Sequence, residues 1–436
     1  MFVGLLVYII LTLAMLVSVM CFETDCKKII FWNLIIVLTS IFGFGVYFVC
    51  FCDKPHIRKN IKKKFEQDEI YKNLIEYSTG KTNSNNETLN FTKRHFSAEI
   101  FKNSDIKVID NIDVFVNSVT SDIEKAEDYI IIDTEIFLSV IGNENIVSLL
   151  KEKKSLGVDV RCIYGKRKFS DRKTIKELVT AGVRVSKFNK SDCFNKYYKN
   201  SKNLITVDGK KVYLYNSFKL KFADKPISHS CLFYILQGEV LKSINLDCYL
   251  DVTFATQKVY EIDNLNTVPV GDTEMQYVSS VADMDFEALF LKAINDAKKR
   301  IVIHINKFIP TPSIKQAIQM AIMSGIDVKI MIAKNCAKYY ASRAYLKEMA
   351  MYGATAYIYD GMISSNFIII DNLTFIGNFS LVNLEIRNNL QNTLIINNAE
   401  FTNNTKDYFG EMVNNSYRIC KPKNVLLREK IFKKFN

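Results

Sequence analysis

Two segments of this 436-residue chain carry polar side chains at one repeated spacing. In YYKNSKNLITVDGKKVY they are Ser201, Asn203 and Asp208, and in DGMISSNFIIIDNLTF they are Ser364, Asn366 and Asp371. The interval from hydroxyl to carboxylate is seven residues in both, since 208 − 201 = 7 and 371 − 364 = 7. Hydroxyls and amides so placed can hydrogen-bond a phosphate, although with no cation in the set the attraction is weak. A serine becomes a good nucleophile only when a base takes its proton. The chain has four histidines, His56, His95, His229 and His304, and none lies near either serine in sequence. There is no metal-ligand pattern and no nucleotide-binding glycine loop, so neither a metal nor a cofactor is expected.

The elements that must position these residues are repeated as well. One copy reads IEKAEDYIIIDTEIF, LLKEKKSLGVDVRCIYGKR and TIKELVTAGVRVSKFN; the other reads INDAKKRIVIHINKFI, AIQMAIMSGIDVKIMIAKN and YLKEMAMYGATAYIYD. Gly157 matches Gly325 at an offset of 168, and Gly182 matches Gly353 at 171. A near-constant offset across three elements marks an internal repeat. In each copy a helical period leads to a short apolar run, and a glycine then closes a helix and releases a β-rich run. Such alternation predicts an α/β fold with a largely buried sheet, flanked by helices. Two copies predict two lobes around a pseudo-twofold axis, with a site in the cleft between them. The expected division is 101–260 for the first lobe and 261–400 for the second.

Ahead of the lobes lie two charge-free stretches, 1–22 and 29–52. About 20 apolar residues cross a bilayer core of roughly 30 Å. A cleaved signal peptide is disfavoured, because there is no basic leader and no small-residue cleavage site. The reading is therefore a transmembrane helical hairpin over 1–52. Lys54, Arg58, Lys59, Lys62, Lys63 and Lys64 follow the second stretch, which places both termini and the lobes on the cytoplasmic side of a cell membrane. Residues 53–100 read as a basic juxtamembrane segment and linker, and 401–436 as a basic tail, in which VLLREKIFKKF has the spacing of an interfacial helix.

Composition narrows the function classes. Lys plus Arg outnumber Asp plus Glu by 58 to 46, a net charge of +12, which favours an anionic partner. The excess gathers beside the apolar stretches and in the tail, so an anionic phospholipid membrane is favoured over nucleic acid. Ten scattered Cys exclude a disulfide framework.

The second apolar stretch (Trp32, Gly43, Tyr47), DIEKAEDYIIIDTEIF, GVDVRCIYG, ELVTAGVRV, LQGEV, FLKAINDAKKRIVI and IKQAIQMAIMSGIDVKIMI together resemble the bacterial cardiolipin synthases of the phospholipase D superfamily. The resemblance covers roughly 30–400 and implies two phospholipase D-like lobes. Active members carry His-x-Lys-x4-Asp in each lobe and transfer phosphoryl groups through a covalent phosphohistidine. One imidazole attacks, the other protonates the leaving alkoxide, and the two Lys neutralise the equatorial oxygens. The Asp is expected to orient the neighbouring imidazole. Against that pattern Ser201 and Ser364 replace His, Asn203 and Asn366 replace Lys, and only Asp208 and Asp371 remain.

Nearby positions depart too. Tyr215 and Asn216 stand where the family has small residues. Gly377 is kept one residue early, followed by Asn378 and Ser380, and Gln391 replaces a carboxylate. His304, in IVIHINKF, falls on a strand end that faces the cleft in the family. A hydrogen-bonded strand-end His is the expected role, with a relocated general acid as the alternative. His56, His95 and His229 read as surface residues.

The function expected is a membrane-anchored pseudoenzyme of the cardiolipin synthase type, which binds phospholipid or modulates an active synthase or another membrane protein. An active synthase or phosphodiesterase with a rearranged site is the alternative.

Overall fold

The computed structural model describes residues 2–22, 26–39, 41–50, 83–137, 144–168, 171–188, 199–216, 229–256, 258, 267–279, 286–419 and 433. The chain divides into two compact units, 1–68 with 191–197, and 69–190 with 198–436.

The first unit contains helices α1 (Phe2–Phe22), α2 (Cys26–Thr39) and α3 (Ile41–Cys50). Met15 and Val19 of α1 pack on Trp32 and Ile36 of α2. Ile9, Leu13, Val17, Leu34, Leu38 and Phe42 face outward instead of being buried. The hydroxyls of Thr12 and Thr39 bond the carbonyls of Tyr8 and Ile35 within their own helices, so neither seeks water. Side chains are described over 8–19 and 29–45 except 40, and among those residues no helix is long and apolar enough to cross a membrane. The expected pair of spans is thus not established by these helices.

In the second unit, α4 (Glu87–Phe96) precedes the first lobe. That lobe runs β1 (Ile100–Ile109), α5 (Ile112–Glu124), β2 (Tyr129–Ile136), α6 (Glu144–Ser155), β3 (Asp159–Lys166), α7 (Asp171–Thr180) and β4 (Arg184–Lys187). It continues through β5 (Lys199–Asn200), β6 (Asn203–Val207), β7 (Lys211–Leu214), β8 (His229–Ser230), β9 (Phe233–Gly238) and α8 (Leu241–Thr256). The second lobe repeats the plan with β10 (Thr273–Ser279), α9 (Phe286–Asp296), β11 (Arg300–Ile305), α10 (Pro312–Met323), β12 (Asp327–Ala333), α11 (Tyr339–Tyr352) and β13 (Thr355–Tyr359). There follow β14 (Met362–Ile363), β15 (Phe367–Ile370), β16 (Leu373–Ile376), α12 (Asn383–Asn388), β17 (Asn389–Leu390), β18 (Asn392–Asn397), α13 (Ala399–Asn414) and β19 (Ser416–Arg418).

Among the described residues the two lobes share one sheet. Their strands form one 15-stranded sheet, ordered β19-β13-β12-β11-β15-β16-β18-β10-β1-β9-β7-β6-β2-β3-β4. Read outward from its centre, the order is the same in both directions up to the terminal β19. The pseudo-twofold axis therefore passes between β1 and β10, whose antiparallel pairing sets Ile100 opposite Gln276. Each would otherwise be an edge with unpaired backbone groups, and their pairing removes both edges. One face carries α5 and α6 over Phe115, Ile132 and Leu150, and α9, α10 and α11 over Phe290, Ile303 and Leu346. On the other face α8 and α13 cover a core shared by both lobes, with Leu204 and Ile244 beside Ile369 and Phe401.

Local signals account for the boundaries. Thr311 accepts from the N–H of Ile314 and Pro312 opens α10, while Asn111 caps α5. Gly157 and Gly325 have φ of +97° and +84°, a left-handed turn that lets each helix stop and a parallel strand begin. Residues 401–418, expected in a basic tail, instead form α13 and β19, because Phe401 and Phe409 are buried in the shared core and β19 pairs with β13.

Candidate functional site

Strands β2, β3 and β4 are parallel, as are β11, β12 and β13, and the Ser and Asn of each motif lie at their carboxyl ends. This is where open α/β sheets place ligands. Asn203 pairs with Thr134 near the end of β2, whereas Val207 pairs with Ile130 near its start. Motif 1 thus runs the length of a strand, and Asp208 lies roughly 20 Å from Ser201.

That separation corrects the role expected of the aspartates. Asp208 Oδ1 accepts from the N–H groups of Asp128 and Tyr129 at 2.9 Å, and Oδ2 from Glu127 at 3.0 Å. Asp371 accepts from Lys298, Lys299 and Arg300 at 2.8, 2.9 and 3.0 Å. Both have φ slightly above +50° in a hairpin turn. Each carboxylate ties down the loop that enters β2 or β11, and neither can orient a side chain at the other end of its strand.

The asparagines are equally committed. Asn203 Oδ1 accepts from the N–H of Glu135 at 3.0 Å and from the Thr134 hydroxyl at 3.0 Å. Asn366 Oδ1 accepts from the N–H of Asn306 at 3.2 Å, and its Nδ2 donates to the Phe379 carbonyl at 2.9 Å. Glu135 and Asn306 are equivalent under the pseudo-twofold axis, so both amides do the same work. A mobile Lys side chain could reach a ligand from this position, whereas each amide oxygen caps a strand end.

The serines mark the places where the lobes cross-link. The N–H of Ser201 donates to the Leu390 carbonyl at 3.0 Å, and that of Ser364 to the Ser230 carbonyl at 2.8 Å. The short parallel pairs β5–β17 and β8–β14 frame these bonds. Asn389 Nδ2 donates to Ser201 Oγ at 3.1 Å. The backbone of His229 pairs with Met362, the register position that Asn389 holds in the other lobe. His56 lies outside the described residues, and His95 is exposed on α4 against Phe91.

His304 is fully buried and stacks on Phe367 at 4.4 Å. Nδ1 donates to the Ser365 carbonyl at 2.9 Å, which leaves Nε2 to accept from Ser230 Oγ at 3.2 Å. Tyr408 then donates to Ser230 Oγ. Burial lowers the His304 pKa to about 4. A neutral ring with both nitrogens engaged is a poor general acid, so the strand-end role describes it.

One group of residues escaped sequence reasoning. Asp133 holds the position in β2 that His304 holds in β11 and is also fully buried. Lys202, between Ser201 and Asn203, points to the opposite face of β6. Its Nζ donates to Asp247 at 2.7 Å and to Asp251 at 2.5 Å, both on α8. Burial pulls the Lys202 pKa down, but attraction to Asp247, Asp251 and Asp133 outweighs it and the net shift is upward. Burial raises Asp133 to about 6 and Asp251 well above the usual carboxylate range. Asp133 and Asp251 interact inside this cluster, and burial keeps both carboxyls protonated to higher pH than an exposed carboxyl. Tyr277 donates to Asp247 at 2.7 Å and accepts from Asn392 at 3.1 Å, joining this cluster to the second lobe. Two Asp four residues apart on one helix, with an interior Lys, were the available signal.

The remaining candidates lie around the end of β16. The β15–β16 turn is one residue shorter than the β6–β7 turn, since Ile370 pairs with Leu373 but Val207 with Lys211. Gly377 is therefore the counterpart of Tyr215, and Asn378 of Asn216. Gln391 Oε1 accepts from the N–H of Ser380 at 2.7 Å, and Nε2 donates to the Glu385 carbonyl at 2.6 Å. Ser380 Oγ donates to Glu385 Oε2 at 2.7 Å, and Lys307 pairs with Glu385 Oε1 at 2.6 Å. Attraction to Lys307, with its hydrogen bond and that of Ser380, outweighs burial and lowers the Glu385 pKa. Among the described residues no His, Cys, Asp and Glu cluster could hold a metal ion.

Comparisons with known proteins agree with this architecture. The family model for the cardiolipin synthase phospholipase D-like domain matches residues 290–413. The probable cardiolipin synthase YwiE of Bacillus subtilis is 25% identical over 452 residues, 95% of this chain and 88% of that protein. The major cardiolipin synthase ClsA of the same organism is 28% identical over 393 residues, 82% and 80% of the two chains. The crystal structure of phosphatidylserine synthase from Haemophilus influenzae superposes with a TM-score of 0.59 at 11% identity, covering 80% of this chain and 97% of that one. At that identity the superposition speaks for the fold alone. With the family model, these relatives make the chain similar to the cardiolipin synthases and their phospholipase D-like domain. Against that likeness, Ser and Asn stand in place of the His and Lys of both His-x-Lys-x4-Asp motifs in this chain.

Proposed function

We propose that this chain is a membrane-anchored cardiolipin synthase-like protein that binds phospholipid without transferring phosphatidyl groups through a phosphohistidine. The observation that carries the reading is the paired fate of Asn203 and Asn366: each amide oxygen is bound to a backbone N–H at an equivalent strand end. Ser201 and Ser364 offer hydroxyls where the family mechanism needs imidazoles, and His304 is buried and engaged. The two apolar stretches anchor the chain as a hairpin with both termini and the lobes cytoplasmic. The outward apolar side chains of α1 and α2 and the basic residues after Cys52 support that placement. An active synthase is the natural protein partner to modulate.

The names of the relatives favour a second reading, an active synthase with a rearranged site. One assay separates the two. Purified full-length protein is incubated with phosphatidylglycerol in mixed micelles beside an authentic synthase and a Ser201→Ala/Ser364→Ala variant. Cardiolipin no higher than in the variant is expected. Turnover that the double substitution abolishes would overturn the proposal.

A further inference from the structure

Helices α10 and α11 lie side by side, and their facing stripes change character along their length. Lys315 and Gln319 of α10 donate to Glu348 Oε1 of α11 at 3.3 and 3.4 Å. One turn further on, the same stripes carry Met323 on α10 and Met351 and Tyr352 on α11, because residues three and four apart share a helix face. All three are exposed, Met323 to 69% and Met351 to 59%, and so is Met320. The pseudo-twofold copy of this surface is polar. At the offsets of 168 and 171 that relate the turning glycines, Met320, Met323 and Met351 correspond to Glu152, Ser155 and Thr180, all exposed. Gln319 and Glu348 correspond to Lys151 and Glu177, which form an ion pair at 3.7 Å. The helix pairing is thus common to both lobes, while these methionines belong to the second alone. Exposed apolar clusters mark contact surfaces, and methionine adapts to irregular partners.

Two contacts point to the occupant. The N–H of Ile419, just past β19, donates to the Ala356 carbonyl at 2.9 Å, and its side chain packs on the second-lobe core. Ala356 lies four residues past Tyr352, so the chain passes the end of α11 here. Lys433 is back on α11, where its ammonium pairs with Glu348 and lies 4.7 Å from the centre of the Tyr345 ring. Burial raises the Glu348 pKa, but Lys433, and after it Lys315, outweigh this and hold it below the usual value. Residues 420–432 lie outside the described part of the chain, and among them the sequence places Val425, Leu426, Leu427, Ile431 and Phe432. From 419 to 433 is 14 steps of chain, since 433 − 419 = 14. Even at the short rise of a helix these reach about 20 Å, enough to pass over the last turn of both helices. We propose that the C-terminal segment 420–436 docks on the α10–α11 face of its own second lobe, with Lys433 clamped by Glu348 and Tyr345 and its apolar residues over Met323, Met351 and Tyr352. A tail held in this way is withheld from a membrane surface and from a second chain until it is released.

The test is trypsin cleavage of the full chain in uncharged detergent, read by mass spectrometry at the bonds after Lys423 and Arg428. A free peptide of residues 420–436 is the reference. Cleavage of a docked segment follows the fraction released, so these bonds should be cut on the order of tenfold more slowly in the chain than in the peptide. That protection should not depend on protein concentration. A rate equal to the peptide's overturns the proposal. So does protection that rises with concentration, which would put a second copy on this face. Protection gained only in micelles containing phosphatidylglycerol would put the segment on the membrane instead and also overturns it.

Two variants act on the two halves of the contact. Lys433→Glu removes the clamp and should speed cleavage roughly fivefold, the upper end for an exposed ion pair. Met323→Lys/Met351→Lys sets two cations beneath the apolar side chains, at exposed positions that the core does not use, and should speed it by a similar factor. Variants cut as slowly as the native chain overturn the proposal. Hydrogen peroxide reports from the other side of the contact, because it converts reachable methionines to sulfoxides. Met323 and Met351 should be oxidised several-fold faster in Lys433→Glu than in the native chain, while Met349, buried on the same helix, keeps its rate. Equal rates at Met323 and Met351 in the two proteins would show that nothing covers them, and again overturn the proposal.

Discussion

If Asp371 is a clamp on the loop before β11, its removal should cost stability and leave the chemistry of the strand's far end untouched. Glycine is the right replacement, because it accepts the φ of +53° that alanine would meet with strain of about 1–2 kcal/mol. Asp371→Gly removes the acceptor of three backbone N–H groups. A hydrogen bond to a charged group contributes about 1.5–3 kcal/mol when shielded. Lys298 and Lys299 are exposed and water can replace the carboxylate there, while Arg300 is half-buried. The expected loss is therefore about 2–4 kcal/mol, well below three full bonds. The assay is urea denaturation of the full chain in uncharged detergent, followed by far-ultraviolet circular dichroism. Asp208→Gly should behave alike, because its three acceptor bonds are equivalent. A loss below about 0.5 kcal/mol, within the range of ordinary surface substitutions, would refute the clamp, and a selective loss of lipid response would restore the site role.

The buried cluster gives two more predictions. Lys202→Met leaves Asp247 and Asp251 without their cation and should destabilise the chain by about 3–5 kcal/mol in the same denaturation assay; a neutral result would show that the ammonium is dispensable. Asp133 titrates near 6 when folded and close to 3.8 when unfolded. The folded state thus holds a proton that the unfolded chain releases, and stability from this source falls as pH rises from about 4 to 6, by about 3 kcal/mol in total. Asp133→Asn removes the carboxyl that titrates in this window and should flatten melting temperature across it, whereas an unaltered slope would place the proton elsewhere.

Sequence and tertiary structure divided the work along a physical line. The repeat, the helix–strand alternation and the turning glycines could be read directly, because periodicity and left-handed turns are local properties of the chain. So was the loss of imidazoles at Ser201 and Ser364, since a residue's chemistry is fixed by its identity. The spacing of seven was legible too, but its meaning was not, because in a strand seven residues carry Asp208 to the far end of the sheet. Only the pairing of β6 with β2 revealed that the aspartate holds a loop. The one-residue shift of Gly377 likewise became a shorter hairpin once the registers of β15–β16 and β6–β7 were compared.

Lys202 is the sharpest case. In sequence it stands between two motif residues and looks available to a ligand. The alternation of side chains along β6 turns it to the opposite face, where α8 brings Asp247 and Asp251 to it across more than forty residues of chain. Residue identity limited what each position could do, and long-range pairing decided which partner each side chain met, because partners distant in sequence are set by packing.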